Sequence, residues 1–314
     1  MLFRYRNRTP PDPGAAVVRS LDMEASLASR HLRIVVVIFL CMVMSACANE
    51  ALLIPLNWSK AGGQIAATTD LAYGSDARQK LDVYRPRAAR RAPVILFWYG
   101  GSWQHGDKSY YQFVGTSLAQ RGFVAILPDY RLAPEHPFPA FIEDAASAVR
   151  WARDYAEDHG GDPNRIYVSG HSAGGHSALM LALDPQYLRA VGLAPSDIAG
   201  VVSLAGPTGL GNLRGEGLKG VFPPTVPDGA FSPIALAPLH AATAPPILLM
   251  TGLDDDVVYA SSVAKLADSI RAGGGTVAVK AYPGIGHIEL MLGFSDSFKG
   301  SGKGADDMAR FAGL

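Results

Sequence analysis

The sequence predicts an α/β architecture, a mostly parallel central sheet with helices on both faces. Two patterns carry that expectation. Apolar runs of strand length alternate with stretches of helical spacing from about residue 79 to residue 282, the order that builds a parallel sheet through right-handed crossovers. Gly170-His171-Ser172-Ala173-Gly174 stands between the apolar run Arg165–Ser169 and the helix-like run His176–Leu183. A tight turn there, with glycines two before and two after, presents a serine at the top of the sheet. The 314 residues are 48% hydrophobic and 18% charged, which suits one large globular domain. A formal net charge of zero gives no reason to expect a nucleic-acid partner.

Each element follows in order. Residues 48–68, with Ala, Gly and Thr prominent, read as a linker into a domain spanning 69–314. Gln79–Tyr84 alternates polar and apolar and reads as an edge-type strand ending before Pro86. Pro93–Tyr99 is continuously apolar, as a strand buried on both faces must be, and Phe123–Leu127 is a second of the kind. Tyr110–Arg121 has helical spacing and Gly122 stops it. Phe141–Asp158 places Ile142, Ala145, Ala146, Val149 and Ala152 along one helix face, and Gly160–Asn164 reads as a turn. Gly200–Leu204 is a further strand. Residues 207–246, rich in Gly and Pro with no clear period, read as an irregular flap. Ile247–Met250 is a strand and Val257–Arg271 a helix closed by Gly273-Gly274-Gly275; Thr276–Tyr282 alternates as the last strand. On such a sheet reactive groups belong in loops at the carboxyl ends of the strands.

The leader is of another kind. Basic Arg30-His31-Leu32-Arg33, apolar Ile34–Met44 and small Ser45-Ala46 before Cys47 describe a signal peptide over 23–46. The apolar run is shorter than the 18 or more residues of a spanning helix. Small residues before a cysteine resemble the bacterial lipoprotein box, in which Cys47 is lipidated and anchors an exported protein on the periplasmic side of a membrane. Ordinary cleavage, giving a soluble secreted or periplasmic protein, is the alternative. Residues 1–22, with several arginines and three prolines, fit no signal peptide, and Met23 is the expected translation start. Both cysteines, Cys41 and Cys47, lie in the leader, so the domain is expected to fold without a disulfide.

A serine needs a base, and the base needs an orienting carboxylate. On this kind of sheet the order along the chain is Ser, acid, His. Of the eight histidines, His176, His240 and His287 follow Ser172. His176 lies one turn into the helix, and His240 precedes the acid. His287 closes Pro283-Gly284-Ile285-Gly286, just after the last strand. The acid lies among Asp254, Asp255 and Asp256. Asp256 is well placed to cap the following helix and Asp254 to bond the turn, which leaves Asp255. Three consecutive aspartates point apart and do not make a calcium loop; the chemistry calls for no metal or cofactor. Oxyanion donors are expected from the backbone N–H groups of Gly101, Ser102 and Ala173, with the helix N-terminus behind Ser172 adding its field.

These motifs carry a resemblance. From about residue 70 to 290 the chain is similar to α/β-hydrolases of the carboxylesterase group related to hormone-sensitive lipase and the kynurenine formamidases. Tyr99-Gly100-Gly101-Ser102-Trp103 resembles the H-G-G-x-W oxyanion loop, with Tyr99 where histidine is usual. Asp129-Tyr130-Arg131-Leu132-Ala133-Pro134-Glu135-His136-Pro137-Phe138-Pro139-Ala140 is close to the group's characteristic segment. Gly170–Gly174 matches its elbow, and Gly252-x-x-Asp255-x-x-Val258 its acid loop. The resemblance implies an α/β-hydrolase fold and a Ser172–Asp255–His287 triad working through an acyl-enzyme. It makes Asp129 and Arg131 structural, as a buried ion pair organising the loops. Trp103, Phe222 and Phe231 are available as pocket walls, with core packing the equal alternative. The implied substrates are small, largely neutral, short-acyl carboxylic esters. An N-formyl aryl amide hydrolase, which shares the Gly-Gly-x-Trp loop, is the second reading, and a surface-anchored binding protein without turnover the third. Oligomeric state is not legible.

Overall fold

The computed structural model describes residues 63–209, 216–295 and 304–314. The signal peptide, Met23, Cys41 and Cys47 lie outside the described residues. Eight strands form one sheet: β1 (Ile65–Ala72), β2 (Lys80–Pro86), β3 (Ala92–Trp98), β4 (Val124–Pro128), β5 (Gly161–His171), β6 (Gly200–Leu204), β7 (Ile247–Gly252) and β8 (Val277–Tyr282). Their spatial order is β1-β2-β4-β3-β5-β6-β7-β8. The pairs β1/β2 and β2/β4 are antiparallel, and every pair from β4/β3 to β7/β8 is parallel.

The helices are α1 (Gln112–Gln120), α2 (Ala140–Tyr155), α3 (Ala173–Leu183), α4 (Pro185–Ala190), α5 (Pro233–His240), α6 (Ala260–Ala272), α7 (His287–Leu292) and α8 (Gly304–Phe311). The chain leaves β3 toward β4 through α1 in one direction, then crosses to β5 through α2 in the other. Right-handed crossovers therefore set α1 and α2 on opposite faces. Arg121 after α1 pairs with Asp306 of α8 at 2.6 Å, which puts α8 on the α1 side. The strands meeting at that reversal, β3 and β5, pair Trp98 with Gly170. A crevice opens beyond their carboxyl ends, where doubly wound sheets bind ligands.

The central strands are the predicted apolar runs. Val94–Trp98 and Val124–Leu127 are at most 1% exposed, because helices cover both faces. Every residue of α3 is buried, so the helix behind Ser172 is a core helix with no solvent face. Four expectations change. The supposed linker over 48–68 contains the start of β1, whose charge-poor sequence IAATTDLA has neither strict alternation nor a continuous apolar run and so hid a strand; the domain begins by residue 65. That strand covers β2, which is therefore internal and not an edge. Gly161–Asn164, expected as a turn, opens β5, with a register irregularity opposite Pro93/Val94. Within 207–246, Pro233–His240 is helical despite Pro238.

Candidate active site

Ser172 sits between β5 and α3 at φ 52°, ψ −119°, a left-handed conformation that costs a non-glycine residue about 1–3 kcal/mol and persists only where its surroundings enforce it. Here they do. Its N–H donates to the Leu204 carbonyl at 2.9 Å, and its carbonyl accepts from His176 N–H at 3.0 Å. A Cβ on Gly174 would stand 2.0 Å from the Trp98 carbonyl oxygen, and one on Gly170 would stand 2.4 Å from the Gly174 carbonyl carbon. The two flanking glycines are required by close backbone approach.

Asp255 and His287 meet as predicted: His287 Nδ1 and Asp255 Oδ2 are 2.8 Å apart, and both residues are buried. Helix α6 begins at Ala260, capped by no side chain, so Asp256 is not its N-cap. Asp256 and Asp254 are exposed. Asp255 itself braces the loop, its Oδ1 accepting from Val257 N–H at 2.9 Å and Val258 N–H at 2.7 Å. Burial alone would raise its carboxyl; the bond to His287 and the two N–H groups outweigh burial and hold it below the ordinary carboxylate value. With Oδ1 committed to the backbone, Oδ2 is free to orient His287. His287 is not in a loop but is the first residue of α7. No hydrogen bond links it to Ser172 among the described residues; such bonds often close only when substrate arrives.

The loop after β3 supplies N–H groups. Ser102 and Ala173 line one cavity with Ser172, and neither backbone N–H has an acceptor among the described residues. Gly101 is not on the cavity wall; its carbonyl accepts from Gln104 and His105 N–H, both at 3.0 Å. Ser102 and Trp103 are themselves left-handed, at φ 54° and 59°.

Tyr99, the departure from the usual motif, has a clear partner set. Its hydroxyl donates to Asp129 Oδ1 at 2.7 Å and accepts from Arg78 Nη2 at 2.7 Å. Asp129 Oδ1 also accepts from Lys108 N–H at 2.8 Å, and Arg78 donates to the carbonyls of Gly106 and Tyr130. Burial pushes the Asp129 carboxyl up, against these donors. The expected Asp129–Arg131 pair does not form. Asp129 pairs with Arg78 at 3.4 Å, and Arg131 pairs with the fully buried Asp144 at 2.7 Å. Both residues are structural, but they tie different loops. Arg78 lies outside every motif, and only its position one residue before the Gln79–Tyr84 alternation marks it in the sequence.

The cavity, about 460 Å³, runs from Ser102, Ser172 and Ala173 past Trp103, Pro207, Leu218, Ile234 and Val258 to Tyr259, Ser262 and Lys265. Trp103 lines it while packing on Phe141 and His176. Phe222 and Phe231 do not: they stack on each other at 4.4 Å, and Phe222 meets Trp103 edge-on at 5.0 Å, so they back the wall from within the core. Leu218 and Ile234 were hidden in a stretch without periodicity.

Residues 81–221 match the family described as BD-FAE. The chain is 43% identical over 121 residues (37% of this chain) to esterase LipC of Mycobacterium tuberculosis. It is 29% identical over 238 residues (70% of this chain) to a probable isoprenylcysteine alpha-carbonyl methylesterase, ICME, of Oryza sativa subsp. japonica. The matches span 30% and 58% of those relatives, less than two thirds of either. Among solved structures, apo Thermogutta terrifontis esterase 2 is 26% identical with a TM-score of 0.62, covering 78% of this chain and 92% of that one. Inhibited esterase B from Lactobacillus rhamnosis is 19% identical with a TM-score of 0.72, covering 87% and 95%. With eight strands in this order, a serine at the β5–α3 turn and an Asp255–His287 pair after β7 and β8, the chain has the α/β-hydrolase fold.

Proposed function

We propose that this chain is a carboxylesterase-type serine hydrolase that cleaves small, short-acyl esters through Ser172, His287 and Asp255. His287 Nε2 takes the Ser172 hydroxyl proton as Oγ attacks the ester carbonyl. The oxyanion is held by the N–H groups of Ala173 and Ser102. His287 returns the proton to the departing alcohol, leaving an acyl-Ser172. Water then repeats the cycle, giving the carboxylic acid and free Ser172. Asp255 fixes the Nδ1–H tautomer and stabilises the imidazolium. The observation that carries this reading is the 2.8 Å Asp255–His287 bond at the sheet end where Ser172 faces the cavity with two unengaged N–H groups. The relatives' names, esterase LipC and carboxylesterase NlhH, support the reaction class.

The short-acyl preference rests on the cavity's size and on the absence, among the described residues of 207–246, of any helix longer than Pro233–His240. An N-formyl aryl amide is the second substrate class, favoured by Trp103 on the wall, where an indole can stack on an aromatic amine. Export and lipid attachment at Cys47 complete the reading, and metabolic labelling with a palmitate analogue, lost in Cys47→Ser, tests it.

A fluorophosphonate probe should label wild-type protein stoichiometrically and Ser172→Ala not at all; turnover of Ser172→Ala within about tenfold of wild type would sink the assignment, since loss of a triad member removes several orders of magnitude. An unlabelled wild type would support the binding-protein alternative. A palmitoyl ester cleaved faster than the butyryl ester of the same phenol refutes the short-acyl reading. An N-formyl aniline cleaved faster than every ester moves the assignment to formamidase.

A further inference from the structure

His171, the residue before Ser172, has no part in the chemistry above, yet its side chain is 3% exposed and points at the base. Its Nε2 lies 2.9 Å from the backbone carbonyl oxygen of His287. A carbonyl only accepts, so the proton is on Nε2 and Nδ1 carries the lone pair. The His171 and His287 rings are 4.7 Å apart, tilted by 47°. On the other side, a Cβ on Gly100 would fall 3.2 Å from His171 Nδ1 and 3.1 Å from Ser172 Cβ, so the oxyanion loop closes over the same ring. The residue joined by a peptide bond to the nucleophile thus holds the main chain of the base, through a contact Asp255 does not make.

We propose that His171 is a positioning residue: its Nε2–H, bonded to the His287 carbonyl, sets the reach between Ser172 and His287. This rests on the serine-hydrolase reading. Asp255 alone fixes the rotation of the imidazole about its Nδ1–H bond; the His171 bond fixes where the backbone carrying that imidazole stands relative to the elbow. Helix α7 starts at His287 and is only six residues long, so the His171 bond meets it at its first residue. Neutrality is part of the design. The titratable groups facing His171 are His287 and, beyond it, Asp255; burial first and His287 second push the His171 ring down to about 3. An uncharged ring leaves the imidazolium formed during attack without a like charge beside it.

The test compares His171→Gln and His171→Met, side chains of similar length of which only glutamine offers an N–H. Wild-type, Ser172-dependent turnover of a butyrate ester is established first, so failure of the esterase reading shows separately. His171→Gln should keep kcat within about threefold of wild type, whereas His171→Met should lose on the order of 10- to 100-fold, the range a displacement near 1 Å produces. KM should stay within twofold in both, because the donor never touches substrate. A methionine variant with kcat within twofold of the glutamine variant overturns the proposal, whatever their melting temperatures. A second measurement needs no variant. Nitrogen-15 NMR of the wild-type protein should show His171 as the Nε2–H tautomer, unprotonated from pH 5 to pH 9. An Nδ1–H tautomer, or a titration inside that range, overturns it independently of activity.

Discussion

Replacing Asp255 by asparagine isolates what the carboxylate does for His287. Asp255 Oδ1 accepts from the Val257 and Val258 N–H groups at 2.9 and 2.7 Å, and an asparagine oxygen can keep both bonds. The asparagine NH₂ then occupies the place of Oδ2, 2.8 Å from His287 Nδ1. Two donors cannot face each other, so His287 moves its proton to Nε2, the nitrogen that must accept from Ser172. The loop survives and the base is disabled. The loss of kcat should be near 10⁴-fold, the size found when a triad aspartate becomes asparagine elsewhere, or roughly 5 kcal/mol in barrier height. Asp255→Ala should be no more active and also less stable, by about 1–3 kcal/mol, because it strands the buried Val258 N–H. The assay is kcat on a saturating butyrate ester, with urea unfolding alongside. Retention of kcat within tenfold in Asp255→Asn, or a larger loss in Asp254→Asn or Asp256→Asn, would refute the reasoning.

Gly174→Ala should yield no folded elbow, since its methyl would stand 2.0 Å from the Trp98 carbonyl oxygen; soluble Gly174→Ala with native circular dichroism and wild-type turnover would contradict the packing described. Tyr99→Phe should lower stability by about 1–3 kcal/mol by leaving Arg78 and Asp129 short of a buried partner, with a smaller effect on kcat; an unchanged urea midpoint would mean that the hydroxyl does not anchor the oxyanion loop. Acid should destabilise the fold well above the carboxylate range. Burial holds His171 near 3 and His176 near 4, against 6.5 for a free histidine. Between those values and 6.5 the unfolded chain binds protons that the folded chain refuses. Stability therefore falls as pH drops below 6.5, by up to about 1.4 kcal/mol per pH unit for each histidine. Urea unfolding at pH 7, 6 and 5 reads this, and a flat profile would show that the two rings are not buried neutral.

The parts of the fold legible in the sequence were those with a repeating or local signal. Buried parallel strands such as Val94–Trp98 carry continuous apolar runs, and the elbow carries glycines that close backbone approach demands. Chain order on this sheet sufficed to single out His287. What could not be read was set by contacts distant in the chain. β1 looks like a linker because its value lies in pairing with β2, not in its own hydrophobicity. Asp129 and Arg131 are two residues apart and of opposite charge, which suggested a pair; neighbours at that spacing on a loop point to different partners, and each found one elsewhere, Arg78 and Asp144. Asp255 meets His287, although the capping argument that singled it out does not hold. A side chain that accepts two N–H groups of its own loop with one oxygen has the other available, and that division of labour is not visible in three consecutive aspartates.

Backbone strain is the deeper part of the site that composition concealed. Non-glycine residues with positive φ are uncommon, yet Ser102, Trp103 and Ser172 all hold it, at 54°, 59° and 52°, and all three line the cavity. Each conformation is enforced from outside: Ser172 by the Leu204 carbonyl and the packing of Gly170 and Gly174, the 102–103 turn by the Tyr99–Asp129–Arg78 network at its base. Turning the chain left-handed at these points exposes N–H groups that an extended strand would spend on its neighbours. The fold's stability, drawn from the core strands and from α3, maintains an arrangement that the local sequence would not choose. Relaxing the strain without removing a functional side chain, as Ser102→Gly would do at φ 54°, should therefore ease the turn's backbone while loosening its aim. If the Ser102 N–H works by being held in place, Ser102→Gly loses kcat with little change in KM; a wild-type kcat in that variant would show that the strain does not aim the donor.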